Sequence, residues 1–240
     1  MQVKTEAIVI QVIRYAEADL IVKMFTKELG LVSYMVKGVL KTKKGKLRAS
    51  FFQIGSILEI DALHKSKNGL YSLKEVKPLV HFNTLHLNVI KSSLITFLFE
   101  IINQVLVEEQ ADKDLFAFFV KSLIHLDSTN ELTLFHIVFL IELTFFNGCY
   151  PDILNSGAPE FDLQSGQFTI ASKSYNTLSG KALFNFKLIL GVKIDDFNEE
   201  VRMSKMERKE LLSNVLKYYS FHMPGYREPK SLLILEQLFS

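Results

Sequence analysis

The spacing of apolar residues changes at Pro78, and this change divides the chain into two kinds of structure. Before Pro78, apolar and polar residues alternate, most cleanly in SILEIDAL, where Leu58, Ile60 and Ala62 share one face of a strand. After it, apolar residues recur every three or four positions through residues 82–107, which is the period of a helix. The pattern therefore predicts an α+β chain whose strands come first and whose helices follow.

The strand region, residues 1–80, contains five short runs that are separated by turn signals. The runs are EAIVIQVIRY, DLIVKMFT, GLVSYMVKG, SILEIDAL and GLYSLKEVKPL. Five short strands in one small domain predict a closed barrel. The OB-fold is the common five-stranded case, and an SH3-like barrel fits this pattern nearly as well.

Residues 81–240 are predicted to form a helical bundle domain. Two Ser-x-x-Glu sequences, Ser128 with Glu131 and Ser204 with Glu207, predict capping boxes at the starts of two helices. The apolar runs that predict helices after residue 107 are DKDLFAFFVKSLIHLD, LTLFHIVFLIELTFF, SKMERKELLSNVLKYYSFH and SLLILEQLF.

Residues 147–176 interrupt the helical pattern, since they are rich in Gly, Ser, Asn and Pro. Within them, FDLQSGQF predicts a small hairpin with a Ser-Gly turn. Cys149 is the only cysteine of the chain, which excludes an internal disulfide and a cysteine-rich zinc site. No signal peptide and no apolar run of ~20 residues is found, so the cytoplasm is the predicted compartment and no membrane span is predicted.

Charge is distributed unevenly along the chain, although the formal net charge is only +2. Residues 1–80 contain 14 lysines and arginines against 7 acidic residues, whereas residues 81–240 contain 14 against 19. Such an asymmetry predicts that the first segment faces a polyanion.

The basic residues concentrate in VKGVLKTKKGKLRAS, within a stretch that has no acidic residue between Glu28 and Glu59. Long cationic side chains on a loop between barrel strands can follow a phosphate backbone. Tyr34 and Phe51 flank the loop and could stack on bases, although Tyr34 fits a core position equally well. A solvated loop without a ligand is the alternative. The predicted DNA-binding residues are Arg14, Lys23, Lys37, Lys41, Lys43, Lys44, Lys46 and Arg48.

Motifs of known catalytic sites are absent from the sequence. The segment from Gly38 to Lys46 has too many residues between its glycines for a nucleotide phosphate loop, and Leu47 stands where such a loop needs a hydroxyl. The six histidines form no metal-binding spacing, and no nucleophile motif occurs. We therefore expect a binding protein and not an enzyme.

The opening of the chain resembles the RecO family of recombination mediators. The shared elements are an acidic turn before the second strand (Glu17 to Asp19), the sequence FTKELG (25–30), and Lys37-Gly38 before a basic loop. FNGCYPDI, FDLQSGQF and EPKSLLILEQL resemble later segments of the family in the same order. Many members hold the region that corresponds to 147–176 with four zinc-binding cysteines. This chain departs from that pattern, so we predict a zinc-less hairpin that is held by apolar packing through Phe161 and Phe168.

The resemblance implies an N-terminal OB-fold that binds single- and double-stranded DNA. It also implies a role in DNA repair and recombination after DNA damage: annealing complementary strands, and helping RecA to load onto single strands coated by single-stranded DNA-binding protein (SSB). The implied partners are RecR and the acidic, apolar C-terminal tail of SSB. A groove near Phe97, Phe116 and Phe119 is a candidate site for the tail, with Lys91 or Lys121 to meet a carboxylate, although core packing suits these rings better.

Two other functions fit the same features. One is an adaptor for protein assembly, whose partners would persist in a nuclease-treated lysate while the purified protein ignores oligonucleotides. The other is an RNA-binding OB-fold protein, which competition between matched DNA and RNA oligomers would reveal.

Overall fold

A computed structural model describes residues 1–41, 47–64, 70–108, 110–171, 174–194 and 201–239. The chain divides into two compact units, Met1–Asp127 and Ser128–Ser240. No helix among these residues is both long and apolar enough to cross a membrane.

Five strands of the first unit close into a barrel in the order β1-β2-β3-β5-β4, with β4 pairing back to β1. All neighbours are antiparallel except β3 and β5. This is the predicted OB-fold arrangement, and not the SH3-like alternative. The strands are β1 (Gln2–Tyr15), β2 (Asp19–Thr26), β3 (Gly30–Val36), β4 (Ile57–Leu63) and β5 (Leu70–Pro78).

Alternation along the strands builds the barrel core, as the sequence predicts. Leu58, Ile60 and Ala62 are buried on one face of β4, and the side chains between them are partly exposed. Tyr34 is also fully buried in this core. Its place in the core excludes it as a stacking surface for a base.

Two helices, α1 (Val89–Val105) and α2 (Lys113–Ser128), belong to the same unit as the barrel. The ring of Phe25 lies 6.2 Å from that of Phe116 and 5.7 Å from that of Phe119. These contacts bury Phe25 on the outer face of β2, so the compact unit extends beyond the domain boundary predicted at residue 80. That boundary stays a prediction.

The helix predicted over residues 82–107 begins later, at Val89, because Asp127 binds the backbone N–H groups of residues that precede Val89. The Asp127 carboxylate accepts hydrogen bonds from the N–H groups of Asn83, Thr84 and Leu85 at 3.0, 2.7 and 2.7 Å. Asn88 then caps the helix by accepting from the first free N–H groups. This one carboxylate therefore accepts three of the backbone hydrogen bonds that hold the connection between barrel and helix.

Replacing Asp127 with Ala should lower the free energy of unfolding by about 3 kcal/mol, because three N–H groups lose a charged acceptor. Burial raises the pKa of this carboxyl, but the three N–H groups and the Thr84 hydroxyl outweigh burial and leave the pKa below its ordinary value. The stabilisation is therefore complete above about pH 4 and is lost as the pH falls through the lowered pKa.

Urea unfolding at neutral and acidic pH measures both effects, and hydrogen exchange at residues 83–85 localises them. Asp114→Ala is the control, because Asp114 is exposed in the first turn of α2 and should contribute less than about 1 kcal/mol. Equal stability of the Asp127 and Asp114 variants would contradict the anchoring role.

The described residues of the second unit form four helices and a three-stranded sheet in the order β7-β6-β8. The Ser204–Glu207 capping box forms as predicted, and the Ser204 N–H lowers the pKa of Glu207 to about 2. The other predicted box, Ser128–Glu131, was wrong, because Ser128 ends α2 and the next helix starts after Leu134. The elements are α3 (Phe135–Phe146), β6 (Glu160–Asp162), β7 (Gln167–Thr169), β8 (Thr177–Ser179), α4 (Gly180–Ile189), α5 (Lys205–His222) and α6 (Leu232–Leu238).

Aromatic rings hold the small sheet, as the sequence predicts for Phe161 and Phe168. The ring of Phe161 is fully buried, 4.8 Å from that of Phe168 and 4.9 Å from that of Phe186. Two polar contacts from α5 add to this: the Tyr218 hydroxyl donates to the Cys149 carbonyl at 2.7 Å, and His222 Nε2 lies 2.8 Å from the Leu163 carbonyl.

Candidate nucleic-acid interface

The first residues of the basic loop are anchored to the turn between β1 and β2. The Gly38 N–H donates to the Asp19 carboxylate at 2.7 Å, and the Leu40 N–H donates to the Ala18 carbonyl at 3.0 Å. A positive φ of 67° lets Gly38 make this bend. The loop therefore leaves β3 in a fixed direction, while Lys43, Lys44 and Lys46 lie outside the described residues.

Strand register brings further cations to the same end of the barrel. Leu20 pairs with Arg14 on β1 and with Val36 on β3, so that Arg14 and Lys37 lie on either side of the start of β2. Both side chains are exposed. A phosphate chain reaching this end would meet both of them.

Lys41 is exposed and lies 3.5 Å from the Glu17 carboxylate, which is itself exposed. An ion pair of this kind contributes little to stability, at most about 1 kcal/mol, because water screens both charges. A phosphate can therefore replace the carboxylate at little cost.

Arg48 lies exposed beyond the loop, at the start of a 3₁₀ turn (Ala49–Phe51). Its guanidinium carbon is 5.6 Å from the centre of the Phe51 ring. Phe51 is partly exposed, unlike Tyr34, whose hydroxyl lies 3.3 Å from His64 Nε2 inside the barrel. Burial, with a smaller contribution from Tyr71, raises the pKa of Tyr34.

Two of the lysines selected from the sequence lie in other surroundings. Lys23 is only 21% exposed and lies 3.5 Å from the Glu108 carboxylate, so it adds less to the basic surface than Arg14 or Lys37. Lys91 is buried, and its ammonium donates to the Thr84 hydroxyl and the Asp127 carbonyl at 2.8 and 2.7 Å. This internal role does not fit the predicted contact of Lys91 with a partner carboxylate.

The other residues of the predicted groove divide in the same way. Phe97, Phe116 and Phe119 are buried in the core, whereas Lys121 lies exposed on α2. The rings therefore pack inside the unit and do not line an open groove.

A different cavity, of about 280 Å³, opens in the second unit between α5 and α6. Three cations on α5, Lys205, Arg208 and Lys209, lie beside apolar side chains that include Leu212 and Phe239. His136 also lines the cavity, but burial, and secondarily Arg208, lowers its pKa to about 3. It is therefore neutral at physiological pH, and the positive charge comes from α5.

The sequence contains a signal for the cavity between α5 and α6 that the period of the apolar residues does not reveal. Lys205, Arg208 and Lys209 stand at positions i, i+3 and i+4, which is one face of a helix. Glu236 of α6 lies 3.3 Å from Lys209 and is the acidic neighbour on this wall.

Zinc does not fit the residues of the 147–176 region. A closed structural site needs four thiolate or imidazole donors, and Cys149 is the only cysteine of the chain. Among the described residues, no group of three or more histidine, cysteine or acidic side chains is placed to hold a metal ion. The aromatic packing around Phe161 occupies the structural role instead.

Comparison with known proteins gives matches along nearly the whole chain. Residues 1–82 match the family described as Recombination protein O N terminal, and residues 86–232 match Recombination protein O C terminal. The chain is 38% identical to proteins named DNA repair protein RecO from Flavobacterium psychrophilum and Flavobacterium johnsoniae, and 34% identical to one from Azobacteroides pseudotrichonymphae. Each alignment covers all of both chains.

Proposed function

Because this chain belongs to the RecO family of DNA repair proteins, we propose that it is a non-enzymatic recombination mediator acting in the cytoplasm. In this role it binds single- and double-stranded DNA, anneals complementary strands, and with RecR assists RecA to load onto SSB-coated single strands. The observation that carries the proposal is the set of exposed cations around the anchored first residues of the basic loop, at one end of the OB-fold barrel.

Annealing requires two phosphate chains to approach each other, and their repulsion opposes it. Cations that replace condensed counterions reduce this repulsion and bind DNA in a salt-sensitive way. Arg14, Lys37, Lys41 and Arg48 are exposed for such contacts. A mediator that works in this way makes and breaks no covalent bond.

The cavity between α5 and α6 suits the proposed SSB partner, since an acidic and apolar tail needs cations beside an apolar wall. Lys205, Arg208 and Lys209 provide the charge, and Leu212, Leu233 and Phe239 provide the wall. Binding of the tail here would bring the barrel to SSB-coated DNA without competition for the basic loop. We propose this cavity, in place of a groove at Lys91, as the tail site.

A fluorescence assay of complementary-strand annealing tests the proposed function. The protein should accelerate annealing of bare strands, and the acceleration should decline steeply with salt because it depends on phosphate contacts. Annealing at the spontaneous rate at every protein concentration would overturn the proposal.

The double substitution Lys205→Glu and Lys209→Glu should slow annealing of SSB-coated strands by about tenfold, the effect of losing about 1.4 kcal/mol of binding energy. Annealing of bare strands should not change, because neither lysine belongs to the barrel. Coating the strands with SSB that lacks its tail should remove the difference between variant and wild type. Equal rates of variant and wild type on fully coated strands would exclude the tail site.

A further inference from the structure

A second cavity of about 240 Å³ opens in the first unit beside the 3₁₀ turn. The start of β4 and the end of β5 supply its apolar wall, through Ile57, Leu58 and Pro78. It is smaller than the usual pocket for a drug-sized molecule, which starts at about 300 Å³. Its size suits one small planar group.

Rings and polar side chains share the lining of this cavity. Phe51 and Phe82 contribute partly exposed rings, and Ser50, Gln53 and His81 contribute exposed polar groups. None of the described residues that line it is acidic. Flat rings beside hydrogen-bonding groups are the surroundings in which proteins hold unstacked bases.

The geometry of the cavity is held in place from two sides. His86 Nε2 lies 2.9 Å from the Ile54 carbonyl, and the His86 ring meets that of Phe82 edge-on at 5.8 Å. On the other side, the Asp127 carboxylate fixes the segment between β5 and α1 by accepting hydrogen bonds from the N–H groups of Asn83 and Thr84. The cavity is therefore preformed, so that a ligand would pay little to order it.

Arg48 links this cavity to the basic surface. It is exposed, and its guanidinium carbon lies 5.6 Å from the centre of the Phe51 ring that lines the cavity. A phosphate bound by Arg48 would thus hold its own nucleotide next to the opening. An unpaired strand can place a base there at little cost, whereas a duplex must first unpair and unstack the base, which costs about a few kcal/mol.

We propose that this cavity receives one unstacked base of single-stranded DNA while Arg48 holds the adjacent phosphate. This inference rests on the proposed DNA-binding function and adds a base-binding site to it. It gives the protein a preference for single strands over duplex that cations alone do not supply. A mediator with this preference keeps bases unstacked until a complementary strand arrives.

The test compares Phe51→Leu with wild type on two oligonucleotides that have the same number of phosphates, one normal and one abasic throughout. Loss of one base–aromatic stack should weaken binding of the normal strand by about tenfold. The abasic strand should bind both proteins equally, and duplex binding should not change. Fluorescence anisotropy gives the affinities, and thermal unfolding checks that the variant is folded.

Phe184→Leu is the matched control, because the exposed ring of Phe184 also has a cation beside it, the Lys181 ammonium at 5.0 Å from its centre. It should bind the normal strand as wild type does. If Phe51→Leu lowers stability, Phe82→Leu removes the other ring and should give the same selective loss.

Two results would overturn the base-binding site while the proposed function stands: unchanged affinity of Phe51→Leu for the normal strand, or an equal loss on both strands. Failure of the wild-type protein to bind any DNA would overturn both.

Discussion

Replacing Lys41, Lys43, Lys44 and Lys46 together with Glu is expected to abolish DNA binding, with a loss of affinity above about 100-fold at moderate salt. Each lysine that contacts a phosphate releases counterions, and a glutamate at the same position repels the strand. Lys41 is exposed and is paired with an exposed carboxylate, so its replacement should not unfold the barrel. Anisotropy titrations with labelled single strands measure the loss.

The salt dependence of DNA affinity tests the same basic surface in a second way. If about six phosphates are contacted, the slope of log affinity against log salt for the wild type is roughly −4, and replacing the four lysines with Gln should reduce its magnitude by about 3. The control replaces four exposed lysines elsewhere, Lys113, Lys181, Lys217 and Lys230, with Glu, which gives the same change in net charge as the Glu variant of the loop. Unchanged affinity in the loop variant, or an equal loss in the control, would refute the assignment of the loop.

Replacing Gly30 with Ala is expected to lower the free energy of unfolding by about 3 kcal/mol or more. Gly30 follows the turn between β2 and β3 with a φ of 71°, which costs a residue with a side chain about 1–2 kcal/mol. An added Cβ would also overlap the backbone of Gln110, which offers no flexible side chain to move aside. The two penalties act together, so this single methyl group should be among the most damaging in the unit.

Gly38→Ala separates the two penalties. Gly38 has nearly the same φ, 67°, but no atom of a described residue lies within 4 Å of an added Cβ. This variant should cost only about 1 kcal/mol, the conformational part alone. Urea unfolding of both variants measures the difference in their free energies of unfolding. Similar values would show that the backbone at Gln110 moves aside without an energetic cost.

The barrel could be predicted from the sequence because alternation is a local signal. Each strand carries its own pattern of inward and outward side chains, and the pattern in SILEIDAL agrees with the burial of Leu58, Ile60 and Ala62. The choice between an OB-fold and an SH3-like barrel depends on which strands pair, for example β3 with β5. Strands that pair in this way are far apart in the sequence, so their pairing produces no periodic pattern of residues.

Contacts between distant residues also explain what was missed at the helices and the sites. The first helix starts late because Asp127, near the end of α2, takes the N–H groups that an earlier turn would use. A lysine usually lies at the surface, so the residue type alone predicts that Lys91 is exposed. In the structure Lys91 is buried, and its ammonium donates hydrogen bonds to Thr84 and Asp127. The cavity beside Phe51 joins the 3₁₀ turn to the segment after β5, and no local motif contains both.

The aromatic cluster of the C-terminal sheet has a consequence for redox chemistry. Zinc held by thiolates is lost when an oxidant attacks sulfur or a chelator competes for the metal. In this protein the packed rings of Phe161, Phe168 and Phe186 stabilise the sheet instead of zinc. Burial raises the pKa of the Cys149 thiol to about 11, so the thiol stays protonated and unreactive at neutral pH. We therefore expect this sheet to stay folded under oxidants and chelators that would remove zinc from a thiolate site.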